Sequence, residues 1–288
     1  MLYDDKIKLL ERKANDIRIS IIDALLSAGS GHTAGPLGMA DIFAALYFHL
    51  LKHDPAKPDW PERDRLILSN GHICPVYYAT LAHAGYFPVE ELKTLRHFGS
   101  RLQGHPHREF LPFTETSSGP LGSGLSQAVG MALAERIDAG KASNKFFYCL
   151  LGDGELDEGQ NWEAIMLAGR EKLHNLIAIV DRNNIQIDGF TEDVLPLEPL
   201  ADKWRAFNWH VQEIDGHNFE AIDEAVNQAK AIFSQPSVII AHTIPSKGVP
   251  EFERQYQWHG KPPNKAEGEL ALKELRTLGG RINKSDHE

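Results

Sequence analysis

The sequence predicts an α/β fold: one parallel sheet with helices on both faces. Three observations carry that expectation. Short runs such as RLILS (65–69), LIAIVDR (176–182) and SVIIAHT (237–243) are continuously apolar, as strands covered on both sides are. Between these runs, apolar residues recur at three- and four-residue steps, the period of a helix packed on a sheet. Glycine, histidine and asparagine collect just after the strands, where open α/β sheets bind their ligands.

Element by element, residues 4–28 form an amphipathic helix through Ile7, Leu10, Ala14, Ile17, Ile21 and Leu25, ended by Ala28-Gly-Ser-Gly31. Pro36 opens a second helix running to Leu51, in keeping with proline in a first turn. A polar loop over Lys52–Arg63 leads to the strand 65–69, and helices follow at 75–84 and 88–97. Residues 99–122 lack periodicity and are rich in Gly, Pro, His and Ser; so long an irregular segment inside a domain is usually functional. Then come helix 123–137, strand 145–151, helix 158–170, strand 176–182, helix 199–206, strand 209–214, helix 219–233 and strand 237–243. From Lys247 onward the chain is polar and is expected to wrap the surface, with 263–288 as a polar C-terminal tail. No repeat or linker divides the 288 residues.

Composition narrows the function. The chain is 42% hydrophobic and 24% charged, with a net charge of −10, so it lacks the basic face that nucleic acid or an anionic membrane requires. Cys74 and Cys149 form no CxxC pair, which argues against a disulfide scaffold or cysteine-rich zinc site and points to a reducing cytoplasm. The charged start MLYDDKIKLLERKAND has no signal-peptide core, and the longest apolar stretches fall far short of a membrane span.

The chemistry centres on LGDGELDEGQNWEA (151–164), where Asp153 stands between two glycines directly after a strand. Asn183 and Asn184 follow the next strand, so neighbouring parallel strands would bring Asp153 and Asn183 to one sheet edge. A carboxylate, an amide oxygen and a nearby backbone carbonyl make a hard-oxygen site suited to Mg²⁺ or Ca²⁺ rather than zinc. Magnesium keeps few protein ligands and takes phosphate oxygens besides, which points to a metal bridging to a diphosphate. Either motif alone is more simply a turn, because Gly, Asp and Asn dominate turns. GPLGSG (119–124) is not a dinucleotide fingerprint, since no strand precedes it, and no GxxxxGK[ST] occurs.

GDG followed 28 residues later by NN resembles the thiamine diphosphate signature. SGHTAGPLG (30–38), RDRLILSNGH (63–72), LQGHPH (102–107), SSGPLGSGLSQAVGMA (117–132), GDGELDEGQNWEA (152–164), DRNNIQIDG (181–189) and WHGKP (258–262) occur in the order of transketolases. The chain thus resembles the N-terminal, diphosphate-binding (PP) module of that family over about residues 5–262. The resemblance implies a thiamine diphosphate-binding fold over 1–262 and a metal held by Asp153, Asn183 and the carbonyl of Ile185. It further implies diphosphate contacts at His72, Gly154 and His259 with Lys247 nearby, backbone contacts to the aminopyrimidine at Gly119 and Leu121, and an apolar contact to the thiamine rings at Ile187. His32 and His105, with His259, resemble the catalytic histidines on the sugar side, and Glu158 resembles a glutamate of the family's dimer interface. His107, beside His105, is not a zinc ligand on this reading, for want of further ligands at close spacing.

The resemblance also implies a missing half. In the family, the glutamate that activates the cofactor lies in a second, pyrimidine-binding module further along the chain. The residues beyond 262 are too few for one, since even a small domain needs at least about 50. The expectation is therefore the N-terminal subunit of a split transketolase, assembled as α2β2 with a separate C-terminal subunit. It would move a two-carbon ketol unit between sugar phosphates. The alternatives are a subunit of a 1-deoxyxylulose-phosphate synthase or dihydroxyacetone synthase, a non-catalytic thiamine diphosphate-binding regulatory subunit, or a fragment of a longer enzyme. Thr33-Ala34 after His32, His107, and Ser123 in GPLGSG depart from the family pattern on the sugar side and put substrate preference in question.

Overall fold

Successive strand residues point to opposite faces of a sheet, and here that alternation divides the core in two. The computed structural model describes residues 2–139 and 143–284. Its strands are β1 (Arg65–Leu68), β2 (Phe147–Gly152), β3 (Leu176–Arg182), the short β4 (Ile185–Gln186) and β5 (Gly189–Phe190), β6 (His210–Asp215) and β7 (Ser237–His242). Five of them form one parallel sheet in the order β1-β2-β3-β7-β6. Tyr148, Leu150, Ile177, Ile179 and Ile239 face one core; Cys149, Leu151, Ala178, Val180 and Ile240 face the other. All seven residues of the central β3 are buried, which is why its sequence shows no polar alternation.

The first core is covered by α1 (Asp4–Ala28), α2 (Ala34–Ala45), α3 (Cys74–His83), α8 (Phe219–Lys230) and α9 (Lys265–Lys284), and the second by α4 (Ser123–Ala139), α5 (Gly159–Glu171) and α7 (Leu200–Ala206). A single turn, α6 (Thr191–Val194), follows the β4–β5 hairpin. The predicted parallel sheet with helices on both faces is what the chain forms.

Three stretches differ from expectation. The second helix is α-helical only to Ala45; Leu46–Leu50 widens into a π turn closed by Leu51 N–H to the Leu46 carbonyl at 2.8 Å. The helix predicted over 88–97 is a 3-10 segment, Val89–Thr94, because Leu95 is extended at ψ 126° and Arg96 is left-handed at φ 59°. The polar tail expected over 263–288 carries α9, whose Ala271, Leu272 and Leu275 are buried. At Gly268 a Cβ would lie 2.5 Å from the Leu26 side chain, so the absence of a side chain lets α9 close on α1. The many charges of α9 concealed that short apolar stripe. Residues 285–288 lie outside the described residues. Upstream of α9, Val249, Phe252 and Trp258 are buried as well, the last two stacked at 3.6 Å.

A buried ion cluster ties the first layer to the sheet. Arg18 of α1 donates to both oxygens of Asp41 in α2, at 3.0 and 2.6 Å, and through Nε to the Leu37 carbonyl at 3.0 Å. His217 Nε2 accepts from Ile244 N–H at 2.7 Å, so its Nδ1 is the donor to Asp41 at 2.6 Å. Burial alone would raise the Asp41 carboxyl; Arg18 and His217 outweigh it and bring it to about 2.

Candidate active site

Gly152 and Asp181 are register partners at the ends of β2 and β3, so Asp153 and Asn183 leave the sheet side by side, as predicted. Asp153 N–H still donates to the Asp181 carbonyl at 3.2 Å. Asn184, left-handed at φ 66°, then turns the chain into the β4–β5 hairpin, which carries Ile185, Gln186 and Ile187 to the same edge. The result is a cavity of about 330 Å³ beyond the carboxyl ends of the strands.

Almost all the predicted site residues meet there. His32, His72, His105 and His259 line the cavity; so do Gly119 and Leu121, and so do Asp153, Gly154, Asn183, Ile185 and Ile187. Lys247 is the exception: it sits half-buried on the turn after β7 and is not among the lining residues. Glu158 is exposed in the chain taken alone.

The floor is a pair of buried carboxylates. Asp153 Oδ1 accepts from Gly154 N–H at 2.8 Å, and Oδ2 from Asn184 N–H at 2.6 Å and from Arg182 at 3.1 Å. Burial lifts the Asp153 carboxyl to about 6 despite Arg182. Behind it, Asp181 is pushed up to about 7 by burial and by Asp153, against hydrogen bonds from Thr243 and Asn183. Asn183 Nδ2 donates to Asp181 at 2.9 Å while its Oδ1 accepts from Ile185 N–H at 3.0 Å, which fixes the amide.

The wall is a histidine cluster. The ring centres of His32, His72 and His259 are 5.0, 5.1 and 5.7 Å apart. Burial, helped by its neighbouring rings and Arg96, lowers His32 to about 4; burial lowers His259 to about 4 and His72 well below its ordinary value. His105 is lowered too, by burial and Arg96. These rings are neutral at pH 7, each with one donor and one acceptor nitrogen. Thr33, one of the departures noted in the sequence, donates to the Lys261 carbonyl at 2.6 Å and so fastens the WHGKP stretch beside His32.

Several lining residues escaped the sequence analysis. Asn70, Glu155, Asp181 and Gln186 complete the cavity, and Arg182 braces Asp153. Asn70 stood in the LSNGH run, immediately after a strand; that position was the available signal. Both side-chain polar atoms of the fully buried Asn70, and Nδ1 of His32 and of His259, have no hydrogen-bond partner. Buried polar groups are ordinarily satisfied, so these await a polar ligand. Asp153, Asn183 Oδ1 and the Ile185 carbonyl are hard-oxygen donors that fit a small divalent cation. At Gly154 a Cβ would stand 2.9 Å from that of Gln186, leaving close approach to backbone alone.

Residues 10–280 match the family described as transketolase, thiamine diphosphate binding domain. The chain belongs to the transketolase family. This transketolase-family chain is 46% identical over 270 residues to the 6-deoxy-6-sulfo-D-fructose transketolase subunit of Clostridium sp. strain MSTE9, covering 94% of the chain and 97% of that protein. It is 42% identical to an apulose-4-phosphate transketolase subunit of Actinobacillus succinogenes, covering 95% of the chain and 97% of that protein. The transketolase of Campylobacter jejuni superposes with a TM-score of 0.87 at 38% identity, covering 97% of this chain and 43% of that one. The chain thus matches less than half of the Campylobacter transketolase but 97% of the length of each of these transketolase subunits. The cavity lies within the part of the chain that matches the thiamine diphosphate binding domain.

Proposed function

We propose that this chain is the diphosphate-holding subunit of a two-subunit transketolase, moving a two-carbon ketol unit from a ketose phosphate to an aldose phosphate. The observation that carries the reading is the convergence of Asp153, Gly154, Asn183 and four neutral histidines on one cavity, in a chain of subunit length. Asp153, Asn183 and the Ile185 carbonyl would hold Mg²⁺ or Ca²⁺. Among the described residues no three His, Cys, Asp or Glu side chains cluster to hold a metal, so oxygens of the diphosphate would complete its shell. His72, His259 and the Gly154 backbone would meet the diphosphate, with Lys247 nearby. Gly119, Leu121 and Ile187 would line the organic rings.

When bound, thiamine diphosphate supplies the electron sink that lets a ketose break the bond between its second and third carbons. The chain's own part is positioning. His32 and His105, neutral and able to donate and accept, would hold the sugar hydroxyls and pass protons between them, with His259 beside them. A separate polypeptide with the pyrimidine-binding module would supply the activating glutamate, and the exposed Glu158 suits a place in the interface of an α2β2 assembly. No helix among the described residues is long and apolar enough to cross a membrane. The two free, buried cysteines suit a reducing cytoplasm.

The test is reconstitution. The chain, a complementary transketolase subunit, Mg²⁺ and thiamine diphosphate are assayed with a panel of ketose and aldose phosphates. Ketol transfer is expected only when both polypeptides are present. Full turnover by this chain alone would refute the split-site reading.

A further inference from the structure

We infer that Glu155 is a positioning residue, the carboxylate that fastens the three loops of the cavity to one another; the inference rests on the reading of this cavity as the thiamine diphosphate site. Glu155 is 2% exposed and lies in the turn after β2. Its Oε2 accepts from Gly152 N–H at 3.0 Å. Its Oε1 accepts from Gly122 N–H at 2.8 Å and from the Ser69 hydroxyl. Ser69 Oγ in turn accepts from Gly124 N–H at 3.2 Å. One side chain therefore joins the end of β1, the end of β2 and the start of α4.

Those are the loops that carry the site: Asn70 and His72 after β1, Asp153 and Gly154 after β2, Gly119 and Leu121 before α4. The first N–H groups of a helix lack partners within it and favour negative charge. Glu155 supplies both, directly at Gly122 and through Ser69 at Gly124. The loops also touch without side chains between them. A Cβ on Gly124 would fall 2.5 Å from that of Ser69, and one on Gly71 would fall 2.3 Å from the Ser118 hydroxyl. A displacement of one loop is thus passed to the next, and from there to the walls of the cavity.

The chemistry of the junction selects a carboxylate. All three groups that reach it, two backbone N–H and one hydroxyl, act as donors, and a carboxylate only accepts. A glutamine of the same shape must turn its NH₂ toward one of them. Glu155→Gln consequently removes one attachment without opening a cavity.

The test compares Glu155→Gln, Asp153→Ala and the unmodified full chain. Amide exchange is followed along the purified chain. The apparent KM for thiamine diphosphate, with Mg²⁺, is measured in the enzyme assembled with its partner polypeptide. Glu155→Gln is expected to speed exchange at the loop it releases, 117–126 through Gly122 or 150–155 through Gly152, and to raise that KM, each about tenfold, the scale of one lost charged hydrogen bond. The kcat at saturating cofactor should stay within about twofold, since the chemistry is untouched. Unchanged exchange over both 117–126 and 150–155, an unchanged KM, or faster exchange spread over the whole chain would each overturn the inference. Asp153→Ala separates the two claims: it should abolish cofactor use while leaving exchange over 117–126 as it was. If Asp153→Ala keeps its affinity for the cofactor, the reading of the cavity fails, whatever Glu155→Gln does.

Discussion

Two buried carboxylates, Asp41 and Asp153, teach how to tell a structural cluster from a site. Asp41 sits between two partners: Arg18 grips both its oxygens, His217 adds a third bond, and the carboxyl falls to about 2. Asp153 is as deeply buried, yet its carboxyl rises to about 6, beside a second acid at about 7 and three neutral rings. Around Asp41 the polar atoms of the cluster meet inside the protein. Around Asp153 the amide of Asn70 and ring nitrogens of His32 and His259 have no protein partner. The first arrangement holds α1, α2 and the turn after β7 together. The second gives up stability to leave places open, as binding sites do.

The largest effect should come from exchanging these roles. Asp41→Ala leaves the Arg18 guanidinium, 5% exposed, without its carboxylate. Breaking a buried pair in this way costs about 3–5 kcal/mol. Asp153→Asn leaves Arg182 bonded to Glu192, Glu198 and Thr191 but turns an NH₂ toward one of the three donors to Asp153, so the apo chain should lose about 1–3 kcal/mol, less than Asp41→Ala. Binding should reverse the order: Asp153→Asn loses thiamine diphosphate and Mg²⁺, whereas Asp41→Ala binds them at any temperature where it is folded. Chemical denaturation and calorimetric titration of both variants check this. Equal loss of stability in the two would break the distinction.

The two regions should also fail at different pH. The Asp41 carboxyl is depressed in the fold, so its contribution is complete above the free value of 3.8 and is lost only as pH falls toward about 2. His32 and His259 are held neutral, with folded values near 4 against 6.5 for the free ring. Between those values the unfolded chain binds more protons, so their neutrality costs stability increasingly as pH falls through that window. Asp153 and Asp181, raised in the fold, act with the opposite sign over part of the same interval. The clean measurement is therefore local. Ring-proton NMR should show His32 and His259 titrating near 4, and the single variants His32→Asn and His259→Asn should each gain on the wild type by about 1–3 kcal/mol as pH drops from 6.5 to 4. A ring titrating at 6.5 would remove the argument that the wall is neutral.

This contrast was only half legible in the sequence. Continuous apolar runs marked β1, β2, β3 and β7, because a strand buried on both faces can hold little else. Asp153 and Asn183 could be paired because each directly follows a strand, and register does the rest. The ion cluster was invisible: Arg18, Asp41 and His217 stand on three elements, and each alone reads as a surface charge. Glu155 escaped notice for a related reason. Its partners are backbone N–H groups and a serine, which leave no signature of their own. Lys247, placed near the diphosphate by the family resemblance, is not among the residues that line the cavity.

The smallest effect compares one close-approach glycine from each region. Gly38 in α2 faces the Ile244 carbonyl, and a Cβ there would stand 3.1 Å from that oxygen. The turn cannot retreat freely, because Ile244 N–H is held by His217. Gly38→Ala should therefore cost about 1–3 kcal/mol as an overpacked contact. Gly154→Ala meets the Gln186 side chain at 2.9 Å, a residue on the short hairpin β4–β5. That atom is the Gln186 Cβ, so the hairpin backbone itself must shift, and the loss of stability should likewise be about 1–3 kcal/mol. Cofactor affinity should register the change as well. The added methyl stands where backbone must come close to the ligand, and Kd for thiamine diphosphate should rise roughly tenfold, about 1.4 kcal/mol. Denaturation midpoints and cofactor titration of the two alanine variants measure both quantities. Should Gly154→Ala cost more stability than Gly38→Ala, the cavity edge is the more rigid region, and its glycine serves packing rather than ligand access.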